Sequence, residues 1–158
     1  MIVLGIDPGL KQSGWGVLEN TQNSRLIYKA SGLITTRTSA SIPERLAHIF
    51  KEVTAILEMY QPHEVAVEEV FVNKNPESSL KLALARGVIL CAPSVFGRPV
   101  FAYAPNHIKK AVVGHGHAEK QQLAWVLQKI LALPEAPVKD ASDALAVALC
   151  HAHSRTQS

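Results

Sequence analysis

Residues 2–7, IVLGID, form a continuous apolar run rich in β-branched side chains that stops at a single carboxylate, Asp7. A run without polar alternation predicts a strand covered on both faces, and therefore a sheet with helices on either side of it. The run breaks at Pro8-Gly9, where the Asp7 side chain is also suited to start a turn. An ionised carboxylate at the end of a buried strand is costly unless something pairs with it. The rest of the chain has to supply that partner.

Residues 13–19 and 25–35 read as two further strands separated by the polar turn 20–24, which together with the first run predicts an antiparallel meander. The period then changes. Ser41 is placed to cap a helix with Pro43 near its start, and Leu46, Ile49, Phe50, Val53, Ile56, Leu57 and Tyr60 recur at helical spacing until Pro62. Residues 65–70 return to a strand, with Val65, Val67 and Glu69 on one face and Ala66, Glu68 and Val70 on the other. Residues 77–92 predict a helix that is apolar nearly all round, with Leu80, Leu84, Val88 and Cys91 on one stripe and Leu82, Ala85, Ile89 and Ala92 on another. Such a helix is central in the core or shared with a second copy of the chain. Residues 99–103 give a fifth strand, and 106–113, 119–133 and 141–153 give three more helices. The pattern predicts an α/β domain over 1–153, a mixed five-stranded sheet flanked by helices on both faces, with 154–158 as a short tail.

The length of 158 residues fits one domain, and 47% hydrophobic residues exclude a disordered chain. Gly5-Ile6-Asp7 comes too early for a signal peptide, and no uninterrupted apolar run reaches the ~18 residues of a membrane span. A cytoplasmic protein with no membrane partner is expected, with Cys91 and Cys150 as buried free thiols. The net charge of +3 is compatible with nucleic acid. Its distribution says more: Lys109, Lys110 and Lys120 fall in one stretch with His107, His115 and His117. His151 and His153 sit at a helix C-terminus, where the dipole favours them.

Three places put carboxylates where apolar packing is expected: Asp7, the pair Glu68-Glu69, and Asp140 with Asp143 at the start of the last helix. Singly, each has an ordinary reading as a turn, an ion pair or a helix cap. Jointly, strand ends and a helix N-terminus converge on one cleft, and clustered carboxylates repel one another unless cations sit between them. Hard oxygen ligands are what Mg²⁺ or Mn²⁺ prefer. Two such ions about 3.5–4 Å apart activate water and stabilise a leaving oxygen in phosphodiester cleavage. Periodicity leaves open whether Glu68 or Glu69 joins Asp7, because the two face opposite sides of the sheet.

These residues resemble the RuvC family of Holliday junction resolvases, endonucleases of the RNase H-like superfamily. The resemblance rests on GIDPG followed by GWGV, AVEEVF followed by NKN, SLKLALARGV, KKAVVGHGHAEK and DASDALAVA, in that order. It implies an RNase H-like fold and a catalytic, metal-binding set of Asp7, Glu68, Asp140 and Asp143, with Mg²⁺ as cofactor, two ions per site, and Mn²⁺ as a substitute. It selects Glu68 over Glu69. Lys109 and Lys120 match basic residues near the scissile phosphate, and Phe71 matches an aromatic that stacks on an unpaired base. Lys74, Arg86 and Lys110 are assigned to DNA contacts on the same reading. The resemblance further implies a homodimer acting on four-way junction DNA in recombination and repair, a branch-migration helicase complex as partner, and a Pro8-Gly9 break where the DNA backbone approaches. An actin or sugar-kinase type phosphotransferase shares the GIDPG-like opening but needs two such domains. A YqgF-type RNA-processing nuclease shares the first motif alone, and a module that only binds branched DNA has no use for four carboxylates.

Overall fold

The computed structural model describes the chain except Ser24, Val72, Asn73, residues 115–118 and 157–158, and the side chains of Lys120 and Thr156. His115, His117 and the lysine side chain of Lys120, singled out above, therefore lie outside the described residues.

Five strands form one sheet: β1 (Ile2–Asp7), β2 (Gln12–Asn20), β3 (Leu26–Thr35), β4 (Glu64–Glu68) and β5 (Val100–Tyr103), in the order β3-β2-β1-β4-β5. The first three are antiparallel, and β4 and β5 run parallel to β1, so the sheet is mixed as expected. β1 is central. Its alternate side chains feed two cores, which is why it carries no polar alternation.

Leu4 and Ile6 join Val65 and Val67 under α1 (Ile42–Tyr60) and α2 (Pro76–Val95), packing on Ile49, Val53, Leu57, Ala85 and Ile89. On the opposite face Val3, Leu18 and Ala66 meet α3 (Pro105–Val113), α4 (Lys120–Ile130) and α5 (Lys139–Thr156). α1 starts as expected: Ser41 Oγ accepts from the Glu44 N–H, and Glu44 Oε2 accepts from the Ser41 N–H at 2.8 Å. This reciprocal pair satisfies two of the helix's orphan donors.

The helices differ from expectation in three ways. The central helix is α5, not α2: every residue from Ala144 to Ala152 is buried. Its alanines bring its backbone close to the sheet, a packing that hydrophobic periodicity does not report. α2 buries only the Ala85, Ile89 and Ala92 stripe, together with Pro93 in its last turn, and leaves Leu80 65% and Val95 73% exposed. Cys91 lies on that exposed side, so only Cys150 is the buried thiol, its pKa pushed up to about 11 by burial. Among the described residues α2 alone has the length and apolar composition of a membrane span, although Lys81 and Arg86 interrupt it. Here it packs on α1 and the sheet.

Third, α5 runs on to Thr156, into the segment expected as tail, and Arg155 is tied back to the sheet. Arg155 holds Glu64 with two hydrogen bonds, at 2.6 and 3.1 Å, and Glu64 Oε2 lies 2.6 Å from His151 Nε2. Tyr103 OH closes the network 2.8 Å from His151 Nδ1, and the Phe101 ring packs on His151. His151 is thus fully buried rather than serving a helix end in water, and burial lowers its pKa against the opposing pull of Glu64. Burial raises the Glu64 pKa, but the bonds from Arg155 and His151 outweigh this and hold it low. Replacing Glu64 with Ala leaves His151 without its acceptor inside the protein. Urea denaturation should show a loss of about 1–3 kcal/mol, and an unchanged midpoint would mean the network adds nothing.

Candidate active site

Asp7 ends β1 and Glu68 ends its parallel neighbour β4. Both belong to the sheet face that carries Val3 and Ala66, the face covered by α5. Glu69 has left the strand. Its N–H donates to the Tyr103 carbonyl at 2.9 Å, and it is neither among the groups that shift Asp7 nor in the lining of the cleft that Asp7 and Glu68 share. The question that periodicity left open is therefore answered geometrically: Glu68, and not Glu69, stands beside Asp7.

α5 brings the other two acids. The Ser142 N–H donates to the Val138 carbonyl at 2.8 Å, so the helix starts before Asp140, and Asp140 is not its cap. Its carboxylate turns to the sheet instead, where Asp7, Asp140 and Asp143 each offer an oxygen within 4.8 Å of the others.

That approach depends on glycines. Gly14 lies directly across from Asp7 in the β1–β2 ladder, and Gly5 lies across from Gly16. A Cβ on Gly14 would run into the Asp140 carbonyl, and one on Gly5 into the Ala144 carbonyl. The glycines of GID and GWG thus form a bare strip on which the α5 backbone rests, delivering Asp140 and Asp143 to Asp7. Gly9 has a local reason instead. Its N–H donates to Ser13 Oγ at 3.0 Å, Ser13 Oγ donates back to its carbonyl at 2.7 Å, and a Cβ there would meet the Gln12 carbonyl.

The electrostatics fit a crowded anionic site. Burial, then the charge of Glu68 and the charge of Asp143, raise the Asp7 pKa from 3.8 to about 8. Glu68 stands close enough to Asp7 that a proton on Asp7 relieves the repulsion between the two carboxyls. A divalent cation relieves the same repulsion without the proton. The donor set is all carboxylate oxygen, fits a hard cation of the Mg²⁺ or Mn²⁺ type, and does not fit one that prefers sulfur or imidazole. Asp7, Glu68 and Asp143 open into a cleft of about 210 Å³ that is also lined by Ile108 and Lys109 of α3 and Leu123 of α4.

The family model for crossover junction endodeoxyribonuclease RuvC matches residues 3–151. The chain belongs to the RuvC family. It is 50% identical over 153 residues to the RuvC of Xanthobacter autotrophicus, covering 97% of this chain and 90% of that one. It is 45% identical to the RuvC of Brucella anthropi, covering 97% and 88%. Among solved structures, Thermus thermophilus RuvC in complex with Holliday junction substrate superposes with a TM-score of 0.92 at 37% identity, covering 99% of this chain and 96% of that one. The yeast mitochondrial Holliday junction resolvase Ydc2 shares the fold alone, at a TM-score of 0.73 and 14% identity over 98% and 79% of the two chains.

The residues assigned to DNA on the RuvC resemblance are spread more widely than the acids. Lys109 lines the acidic cleft, but its neighbour Lys110 opens onto a separate pocket beside His107 and His153. Phe71, just beyond β4, is 67% exposed and so is not the core residue its type suggests. Lys74 is exposed before the Asn75 cap of α2. Arg86 lines a small pocket with Val70 and Phe71, its Nε buried and without a hydrogen-bond partner among the described residues. Lys120 opens α4. Sequence reasoning missed Gln12, whose Nε2 donates to Asp140 Oδ2 at 2.6 Å, because an isolated amide on a strand carries no motif.

Proposed function

We propose that this chain is an endonuclease that resolves four-way DNA junctions by divalent-metal-dependent hydrolysis of phosphodiester bonds, in recombination and repair. The observation that carries this reading is the convergence of Asp7, Asp140 and Asp143 on one point, with Glu68 beside Asp7 and Lys109 lining the same cleft. In this reading the four carboxylates hold Mg²⁺, two ions per site, and Mn²⁺ substitutes. Ions held there would supply activation of the attacking water and neutralisation of charge on the scissile phosphate.

The protein's own groups do the rest. With the site loaded, Asp7 and Glu68 would both serve as ionised oxygen donors, so the raised pKa of Asp7 belongs to the metal-free protein. Lys109, among otherwise apolar lining residues of α3 and α4, brings a cation to the same cleft as the carboxylates, where it would steady the developing phosphate charge. Phe71 presents an exposed ring for stacking on an unpaired base, while Lys74, Arg86, Lys110 and Lys120 contact phosphates. The exposed apolar stripe of α2, with Leu80, Leu84 and Val95, supports a homodimer in which each copy cuts one of two opposed strands. A branch-migration helicase as partner and a cytoplasmic location complete the proposal.

A synthetic four-way junction tests it. With Mg²⁺ we expect paired nicks at symmetric positions with 5′-phosphate ends, lost in EDTA and restored by added metal. Cutting that persists in EDTA, or that is as fast on plain duplex, rejects the reading. Lys109→Ala should weaken junction binding and make its salt dependence shallower by about one unit of slope.

A further inference from the structure

Asp140 is the one acid of the set that does not border the cleft; it stands at the rear of the group, against the start of β2. Gln12 opens that strand, and its Nε2 donates to Asp140 Oδ2 at 2.6 Å across 128 residues of sequence. The contact is half-buried, and the backbone on either side of it is fixed. Asp140 rests on the bare Gly14 position, and the carbonyl of Gln12 packs over Gly9 in the preceding turn.

The chemistry of the donor is what matters. Three carboxylates that each bring an oxygen within 4.8 Å of the others repel one another and tend to swing apart. A lysine or arginine at Gln12 would hold Asp140 by charge and so compete with a bound cation. A carboxamide holds it with a neutral hydrogen bond at every pH. Tying down Oδ2 fixes the plane of the carboxylate and leaves its other oxygen for a ligand. Groups that orient metal ligands in this way commonly contribute 10–100-fold in metal affinity or activity.

Resting on the metal-dependent reading above, we propose that Gln12 is a positioning residue for Asp140, holding its carboxylate in the orientation that receives a divalent cation. In this role Gln12 acts through Asp140, the residue its side chain holds.

The test is Mn²⁺ binding to the DNA-free full chain by calorimetry, alongside the Mg²⁺ midpoint of junction cleavage. Gln12→Met keeps the length of the side chain and removes the donor; Gln12→Ala serves if the methionine variant folds poorly. We expect Mn²⁺ binding to weaken by about 10–100-fold, the Mg²⁺ midpoint to rise, and the cleavage rate at saturating Mg²⁺ to be largely regained. The melting temperature in EDTA should stay near that of the parent, since the side chain is half-buried at a strand start. A variant that melts earlier but binds Mn²⁺ like the parent overturns the proposal, because Gln12 then supports the fold alone. Asp140→Asn separates the two levels. If it too leaves Mn²⁺ binding unchanged, the acid cluster is not a metal site and the underlying reading fails. If it abolishes binding while Gln12→Met does not, only the role of Gln12 fails.

Discussion

Replacing Asp7 with Asn is expected to abolish junction cleavage, to leave junction binding in place, and to stabilise the metal-free protein at neutral pH. The loss of activity should be about 10³-fold or more, since several kcal/mol of charge stabilisation pass through a metal ligand and each 1.36 kcal/mol is a factor of ten. The gain in stability follows from the raised pKa. Burial first, with the charges of Glu68 and Asp143 behind it, raises the Asp7 pKa from 3.8 to about 8. The native state therefore keeps a proton that the unfolded chain releases above pH 3.8. Stability falls as pH climbs through that window and levels off above about pH 8. Asparagine has no proton to lose, so the variant lacks this decline.

In EDTA, the stability difference between Asp7→Asn and the parent should grow from near zero at pH 4 to a few kcal/mol at pH 8, an interval set by the two pKa values of Asp7. Added Mg²⁺ should shrink or reverse it, because only the parent gains by binding the ion. Denaturation midpoints across this range decide the matter. A difference that is flat with pH means that Asp7 is not held protonated, and the crowding inferred at the site is then relieved in another way.

The elements that follow from side-chain periodicity were readable in the chain: an unalternating β1, the meander of β2 and β3, the capped α1, and a strand carrying Glu68. Asp7, Asp140 and Asp143 stood out as carboxylates placed where apolar residues belong, and the structure brings these three together, while Glu68 and Glu69 remained alternatives. Other features were not, each for a physical reason. Period two puts Glu68 and Glu69 on opposite faces but does not say which face α5 covers. The central place of α5 is hidden because its closeness to the sheet comes from alanine on the helix and glycine on the strands, residues with almost no hydrophobic signal of their own. The Glu64–His151–Arg155 network joins positions 87 and 91 residues apart, so a histidine near a chain end reads as solvated when it is fully buried. Gln12 reaches Asp140 by the same kind of long-range contact.

The glycine strip makes the strongest claim about how the fold builds the site, and Gly14→Ala puts it at risk. The methyl group would enter the space of the Asp140 carbonyl, a backbone atom with no rotamer to escape into. Either β2 and the start of α5 separate, or the helix shifts along the sheet. Overpacking of this kind costs about 1–3 kcal/mol, and more where backbone must move. The displaced atoms belong to the residue that carries one of the four acids. Cleavage should therefore fall by a larger factor than stability alone accounts for, and metal binding should weaken with it. Gly16→Ala is the graded comparison. Its new methyl meets the Cδ2 and Cγ of Leu145 at 2.6 and 2.7 Å, so the closest clash is with a buried side chain rather than a backbone carbonyl, and it lies more than a turn of α5 away from Asp140. Gly16→Ala should lose some stability yet retain most of its metal affinity, whereas Gly14→Ala should lose both. Equal metal affinities in the two variants at matched temperature below their melting points would show that α5 tolerates displacement, and that the glycines of GWG serve the packing of the sheet rather than the placement of the acids.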